Sequence, residues 1–270
     1  MLTNICTLAN QRAYDELLVM LKSLAQFMEL DVYLGADAYV IERLQHEKIG
    51  LRIHTYELLK SGLHAKIGND DFMQIMRRKA DILEIAVREQ GHSLFVDADM
   101  LFFGPIWGVD LKNHEVVLSP HYILDADEEK FGKFNAGYLG TSAVRFPEWW
   151  RNAMTTSRFV DQECLVYAPQ EFTVQELTIH HNFGWWRLNQ CDPKRKWWRI
   201  DLPNRPVRAQ RLKNFQVAHD RILYDDKPLV SFHTHIKDRH KRSYQSANRL
   251  AVDLLSRSKD RRHQEILSWL

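Results

Sequence analysis

Short apolar runs alternate with helix-period apolar stripes from Asn4 to Val96, and that alternation restricts the chain to an α/β architecture. Asn4–Leu8 reads as a buried strand. The segment after it sets Leu17, Leu18, Leu21, Leu24 and Met28 on one helical face. Asp31–Leu34 and Leu51–Thr55 read as further strands separated by a helix over Tyr39–Glu47. Asp70–Glu89 reads as a long helix with Met73, Ile75, Met76, Ile82, Leu83 and Ile85 on its apolar side. Ser93–Val96 is then a strand that stops at a charged pair. Strands and helices in this order predict a mostly parallel central sheet covered by helices on both faces, with ligands bound beyond the carboxyl ends of its strands.

After Gly104-Pro105 the pattern is less regular. Strands are expected at Glu115–Leu118, Phe134–Gly140 and Leu229–His233, and short helices near Phe146–Thr155 and Asp161–Val166. The tail from Ser243 to Leu270 carries Leu250, Ala251, Leu254, Leu255, Ile266 and Trp269 at helical spacing, which predicts that it packs back on the body. There is no internal repeat, low-complexity tract or flexible linker, so residues 1–270 read as one domain.

Lys plus Arg number 37 against 35 Asp plus Glu, and a net charge of +2 supplies no field that would recruit nucleic acid. The three cysteines, Cys6, Cys164 and Cys191, form no metal-ligand spacing and fit a reducing compartment. No stretch approaches the ~18 apolar residues of a membrane span, and Met1-Leu2-Thr3-Asn4 lacks a signal-peptide layout, so a cytoplasmic protein is expected. Arg and Lys are frequent from Arg205 to Arg262. This reads first as a solvated face and secondarily as a peripheral contact with anionic lipid.

The residues that carry chemistry begin with Leu94-Phe95-Val96-Asp97-Ala98-Asp99-Met100-Leu101-Phe102. Two carboxylates at the end of an apolar strand repel each other and are costly to bury. A hard divalent cation offsets that repulsion, binds phosphate oxygens and neutralises charge developing on a diphosphate leaving group. A solvated strand end or a helix cap would produce the same short pattern, but the apolar flanks on both sides favour the metal.

With that context the sequence resembles the GT-A fold nucleotide-diphospho-sugar glycosyltransferases, in particular glycosyltransferase family 8 and its relatives, from Asn4 to about Lys237. The resemblance implies a Rossmann-like sheet with a smaller sheet on the acceptor side, a nucleotide-binding half over residues 1–104 and an acceptor half over 105–270. It implies a UDP- or GDP-sugar donor, Mn²⁺ or Mg²⁺, and a saccharide, lipid-linked or protein acceptor, with retention of anomeric configuration. Residue by residue, Thr7, Ala9, Asn10 and Tyr14 match the nucleotide cradle, and Lys79 matches a basic residue that contacts donor phosphate or sugar. Asp97, Ala98 and Asp99 hold the diphosphate through the metal.

Phe134-Asn135-Ala136-Gly137-Tyr138 resembles the family's Asn-Ala-Gly strand, which assigns Asn135 to the donor sugar, and Asp161-Gln162 resembles the pair beside its reacting face. Val230-Ser231-Phe232-His233-Thr234-His235-Ile236-Lys237 resembles the closing motif, with His233 as third metal ligand and Lys237 as phosphate cation. Here the chain departs from the family: Ile236 replaces the expected Gly and the Lys comes early, which leaves His233 and His235 both open as the ligand.

Other readings fit less well. His233-Thr234-His235 with Asp238 and His240 is one residue too long for a metallo-β-lactamase motif. Phosphoryl transfer of the haloacid dehalogenase type needs its carboxylate pair on an early strand. A non-catalytic nucleotide-sugar-binding protein has no physical need for clustered ligands. Trp107, Trp149-Trp150, Trp185-Trp186 and Trp197-Trp198 read mainly as core, but His181-Asn182-Phe183-Gly184-Trp185-Trp186-Arg187 mixes donors and aromatic faces in a way that suits an acceptor sugar.

Overall fold

The computed structural model describes residues 2–62, 70–123, 125–189, 211–237 and 242–270. Its centre is a seven-stranded sheet in the order β3-β2-β1-β4-β7-β6-β8. These strands are β1 (Asn4–Ala9), β2 (Asp31–Ala36), β3 (Arg52–Glu57), β4 (Ser93–Val96), β6 (Val116–Pro120), β7 (Phe134–Thr141) and β8 (Val174–Glu176). Strands β3, β2, β1 and β4 are mutually parallel, whereas β7 runs antiparallel to both β4 and β6. The expected mostly parallel α/β sheet is therefore present.

Helix α1 (Tyr14–Ala25) buries Leu17, Leu21 and Leu24 on one side of this sheet, as their spacing predicts, and a short helix α2 (Ala38–Leu44) follows β2. On the other side α3 (Asp70–Gln90) buries Ile75, Ile82, Leu83 and Val87 with Phe95 and Trp150. Arg151, on α5 (Phe146–Ala153), clamps α3 through Asp81 at 2.8 Å and Glu84 at 2.7 Å. Helix α4 (Asp125–Phe131) and the one-turn helices α6 (Ala168–Glu171) and α7 (Trp186–Asn189) complete the middle of the chain.

A second sheet joins β5 (Met100–Phe102), β13 (Ser231–His233) and β9 (Phe183–Gly184). A third joins β10 (Phe215–Ala218), β11 (Arg221–Tyr224) and β12 (Lys227–Pro228). Both share a core with α8 (Arg242–Arg257) and α9 (Arg261–Trp269), which bury Ala247, Ala251, Leu254, Leu255 and Ile266 there. The tail thus packs back as its periodicity predicts. Among the described residues no helix is long and apolar enough to cross a membrane.

Three details go beyond the apolar pattern or adjust it. Phe215–Pro228 forms a hairpin pair that the apolar pattern does not announce. Its second turn has Asp225 and Asp226 at φ 48° and 60°, the left-handed pair that a two-residue hairpin turn needs, so its sequence cue was Asp-Asp rather than the commoner Asn-Gly. The short helix expected near Asp161–Val166 is a 3₁₀ segment over Glu163–Tyr167. Leu229 and Val230 precede β13 instead of belonging to it. Cys191, Trp197-Trp198, Asp238 and His240 lie outside the described residues, as does part of the basic segment that starts at Arg205.

Candidate functional site

Strand β4 ends at Val96, and the chain turns through Asp97-Ala98-Asp99 before β5 begins. Met100 N–H donates back to Asp97 O at 3.3 Å, and Asp97 N–H donates to Gly137 O at 2.9 Å. Because the strand does not continue, the two carboxylates diverge. Asp97 Oδ1 lies 2.9 Å from Lys79 Nζ, while Asp99 faces β13.

Backbone pairing explains how residues far apart in sequence meet at Asp99. Strand β5 pairs antiparallel with β13 in the register Met100↔His233, and β13 pairs in parallel with β9 in the register His233↔Gly184. Thr234 N–H donates to Asp99 O at 3.3 Å, and Trp185 N–H donates to His233 O at 3.0 Å. The imidazole of His233 is thereby fixed beside the residue that precedes β5.

His233 Nε2 stands 2.9 Å from Asp99 Oδ1, and His235 Nδ1 stands 2.8 Å from Asp99 Oδ2. One ligand atom from each of Asp99, His233 and His235 lies within 4.8 Å of the others, a compact group able to hold a metal ion. Asp99 Oδ1, which faces His233 Nε2, is buried with no hydrogen-bond partner among the described residues. A carboxylate oxygen facing imidazole nitrogen without an aligned donor is the arrangement a cation would complete, so the donor set fits a divalent metal. Burial opposes the charge on Asp99, but His233 and His235 hold its carboxyl well below the usual range. His235 is correspondingly raised: burial lowers it, and Asp99 more than reverses that.

Asp97 stands beside this group, with Oδ2 4.0 Å from His233 Nε2. Lys79 bridges it to Asp161 Oδ2 at 3.0 Å. Lys79 is 7% exposed, and although burial works against its charge, Asp161 and Asp97 together keep it protonated beyond the ordinary lysine range. Burial raises the Asp97 carboxyl, with Lys79 pulling the other way. The position of Asp161 is set by its own carbonyl, which accepts from the buried Trp150 Nε1 at 2.7 Å.

Asn135 is held from every side. Its Oδ1 accepts from Gly137 N–H at 3.0 Å and from Asn182 Nδ2 at 2.9 Å, and its Nδ2 donates to His121 Nε2 at 3.1 Å. His121 Nδ1 donates to Gly132 O at 3.2 Å, the tautomer this network requires. Burial pushes His121 down to about 3, so the ring stays neutral and able to accept. Gln162 reaches the same amide at 3.4 Å and is anchored by its own bond to Phe131 O. The ring of Trp186 lies edge-on to His233 and His121, with centroids 5.1 and 5.4 Å away.

A cleft of ≈ 690 Å³ opens over Asp97, Ala98 and Asp99, lined also by Ala9, Asn10, Glu16, Lys79, His235 and Lys237. Its β1–α1 wall is rigid. The buried Asp37 caps α2 by accepting from Val40 N–H and holds Gln11 N–H with its other oxygen, while Asn10 Oδ1 accepts from Arg12 N–H. Of the cradle residues expected from sequence, Ala9 and Asn10 line this cleft. Thr7 is enclosed within β1, and Tyr14 turns away against Tyr39 and Glu47. Lys237 lines the cleft, but its Nζ donates to Trp269 O at 2.7 Å and its N–H donates to Glu16 Oε1 at 2.8 Å.

No motif in the sequence singles out His121 or Glu16. His121 directly follows Pro120 at the end of β6, the kind of strand end where ligands gather, but no spacing ties it to Asn135.

Three solved structures that share this fold are glycosyltransferases. GlyE of Streptococcus pneumoniae TIGR4 superposes with a TM-score of 0.57 at 14% identity, covering 100% of this chain and 60% of that one. The bifunctional glycosyltransferase WbbM in its apo form gives 0.55 at 10% identity, covering 99% and 51%. The chain has a glycosyltransferase fold. Mouse xyloside xylosyltransferase 1 gives 0.52 at 12% identity over 86% of this chain and 97% of that one. The glycosyltransferase fold found here thus spans only part of GlyE and WbbM, and at these identities the likeness concerns the fold. No known sequence family and no curated protein matches the chain.

Proposed function

We propose that this protein is a metal-dependent glycosyltransferase of the family 8 type that transfers a sugar from a UDP- or GDP-sugar to a saccharide, lipid-linked or protein acceptor, with retention. The observation that carries the reading is the convergence of Asp99, His233 and His235 at the edge of a cleft whose floor is Asp97-Ala98-Asp99, on a glycosyltransferase fold. Mn²⁺ or Mg²⁺ at this position would neutralise the charge that develops on the departing diphosphate.

The chain's own residues would do the rest. Ala9 and Asn10 border the nucleotide, and Lys79 holds the Asp97 and Asp161 side chains in place. Asp161 and Gln162 meet the sugar beside its reacting carbon, and Asn135 presents an amide already oriented by His121 and Asn182, so little ordering remains at the moment of reaction. Lys237 reaches the diphosphate by exchanging the Trp269 carbonyl for a phosphate oxygen. Trp186, edge-on to His233 and His121, borders the acceptor side. In this reading residues 1–104 hold the nucleotide and 105–270 the acceptor, with the cation shared between the halves because Asp99 comes from one and both histidines from the other.

The test is a panel of nucleotide-sugars incubated with the protein and Mn²⁺, with release of nucleoside diphosphate and free sugar followed over time. Turnover of one donor that stops in excess chelator is expected. A panel that stays intact in every case, including with sugar and glycolipid acceptors added, contradicts the proposal.

A further inference from the structure

The backbone at His235 is left-handed, with φ 49°, a strained conformation that a non-glycine residue keeps only where its surroundings enforce it. The relaxed alternative would swing the ring away from Asp99. Two residues on one face of α8 prevent this. Tyr244 stacks its ring on the His235 imidazole at 4.2 Å and 28°, and Asn248 Nδ2 donates to the His235 carbonyl at 3.0 Å. Their spacing of four along the helix makes them neighbours over the same turn.

Helix α8 is itself fixed, because Ala247, Ala251, Leu254 and Leu255 are fully buried against the second and third sheets. Tyr244 is 8% exposed and is braced from behind by the Trp185 ring at 4.8 Å. The N–H of that same Trp185 donates to His233 O. One rigid assembly therefore holds both imidazoles against Asp99: β13 and Trp185 hold His233, and α8 holds His235.

We propose that Tyr244 and Asn248 are positioning residues of the cation site, which fix His235 in its strained conformation and so set the number of nitrogen ligands and the metal affinity. The inference rests on the metal reading given above. Without their hold His235 relaxes, leaving His233 and Asp99 to bind a cation alone.

The experiment is titration of the full-length, metal-free protein with Mn²⁺, with affinity read from the free-ion spin-resonance signal and ligation read from ¹⁴N couplings to the bound ion. Tyr244→Phe keeps the stacked ring and should match the parent protein. Tyr244→Leu and Asn248→Ala should each bind roughly 10–100-fold more weakly, the usual effect of losing an outer partner of a metal ligand, and should lose one of two nitrogen couplings. Asn248 is half-buried, so its variant carries the test if Tyr244→Leu does not fold. Parent-like affinity with both couplings intact in Asn248→Ala overturns the positioning role and leaves the metal reading standing. No Mn²⁺ binding by the parent protein overturns the metal reading, and this inference with it.

Discussion

Gly137 and Asp97 compete for one space: a Cβ added at Gly137 would lie 2.3 Å from Asp97 Oδ2. The small residue in the Asn-Ala-Gly segment is thus needed by the Asp97 carboxylate, and the Asp97 backbone N–H donates to the Gly137 carbonyl. Gly137→Ala is expected to push Asp97 off Lys79, lowering stability by about 1–3 kcal/mol as overpacking does and weakening donor binding more than tenfold (about 1.4 kcal/mol per factor of ten). Urea unfolding and donor titration check this. An unchanged midpoint would mean that Asp97 has room to move.

Lys79 is the counter-ion of two carboxylates, and Asp161, like Lys79, is almost wholly buried. Removing one partner of a buried ion pair strands the other, so Lys79→Met should cost about 3–5 kcal/mol. Adding Asp97→Asn should recover part of that loss, since one stranded charge is gone. Strictly additive losses in a double-mutant cycle would show that the pair is not coupled.

The pairing of His235 with Asp99 implies a pH dependence. Asp99 raises His235, so in the metal-free protein this pair adds stability that is fully present below the ordinary histidine value of 6.5 and is lost as pH rises through the raised value. A cation needs the same imidazole deprotonated and must displace that proton. The increase in Tm produced by Mn²⁺ should therefore be larger at about pH 8 than at about pH 6. An increase independent of pH would place the ion away from His235.

The order of strands and helices up to Val96 was legible because apolar period alone determines it, and Ser93–Val96 matches β4 residue for residue. The identity of the carboxylates was legible for the same reason, since they end an apolar strand. Their division of labour was not. Whether Asp97 meets a lysine or a metal depends on the turn at Ala98 and on the pairing of β5 with β13, which joins residues more than a hundred positions apart. The choice between His233 and His235 was open in sequence because an extended chain puts both on one face. The structure brings both to Asp99 by turning the backbone at His235, and the stacking of Tyr244 that permits this has no sequence signature. Tyr14 matches the cradle only by resemblance, which says nothing of side-chain direction, and here its ring packs against Tyr39.

The central claim is that a cation held by Asp99, His233 and His235 joins the protein to a nucleoside diphosphate. The most direct measurement is thermal unfolding with UDP or GDP, with and without Mn²⁺, on the parent protein and on Asp99→Asn. The parent should gain stability from one diphosphate only when Mn²⁺ is present, by about 2.7 kcal/mol at a hundred times its Kd, and Asp99→Asn should fold normally and gain none. Equal stabilisation of the parent protein in excess chelator, or undiminished Mn²⁺-dependent stabilisation of Asp99→Asn, would contradict the account.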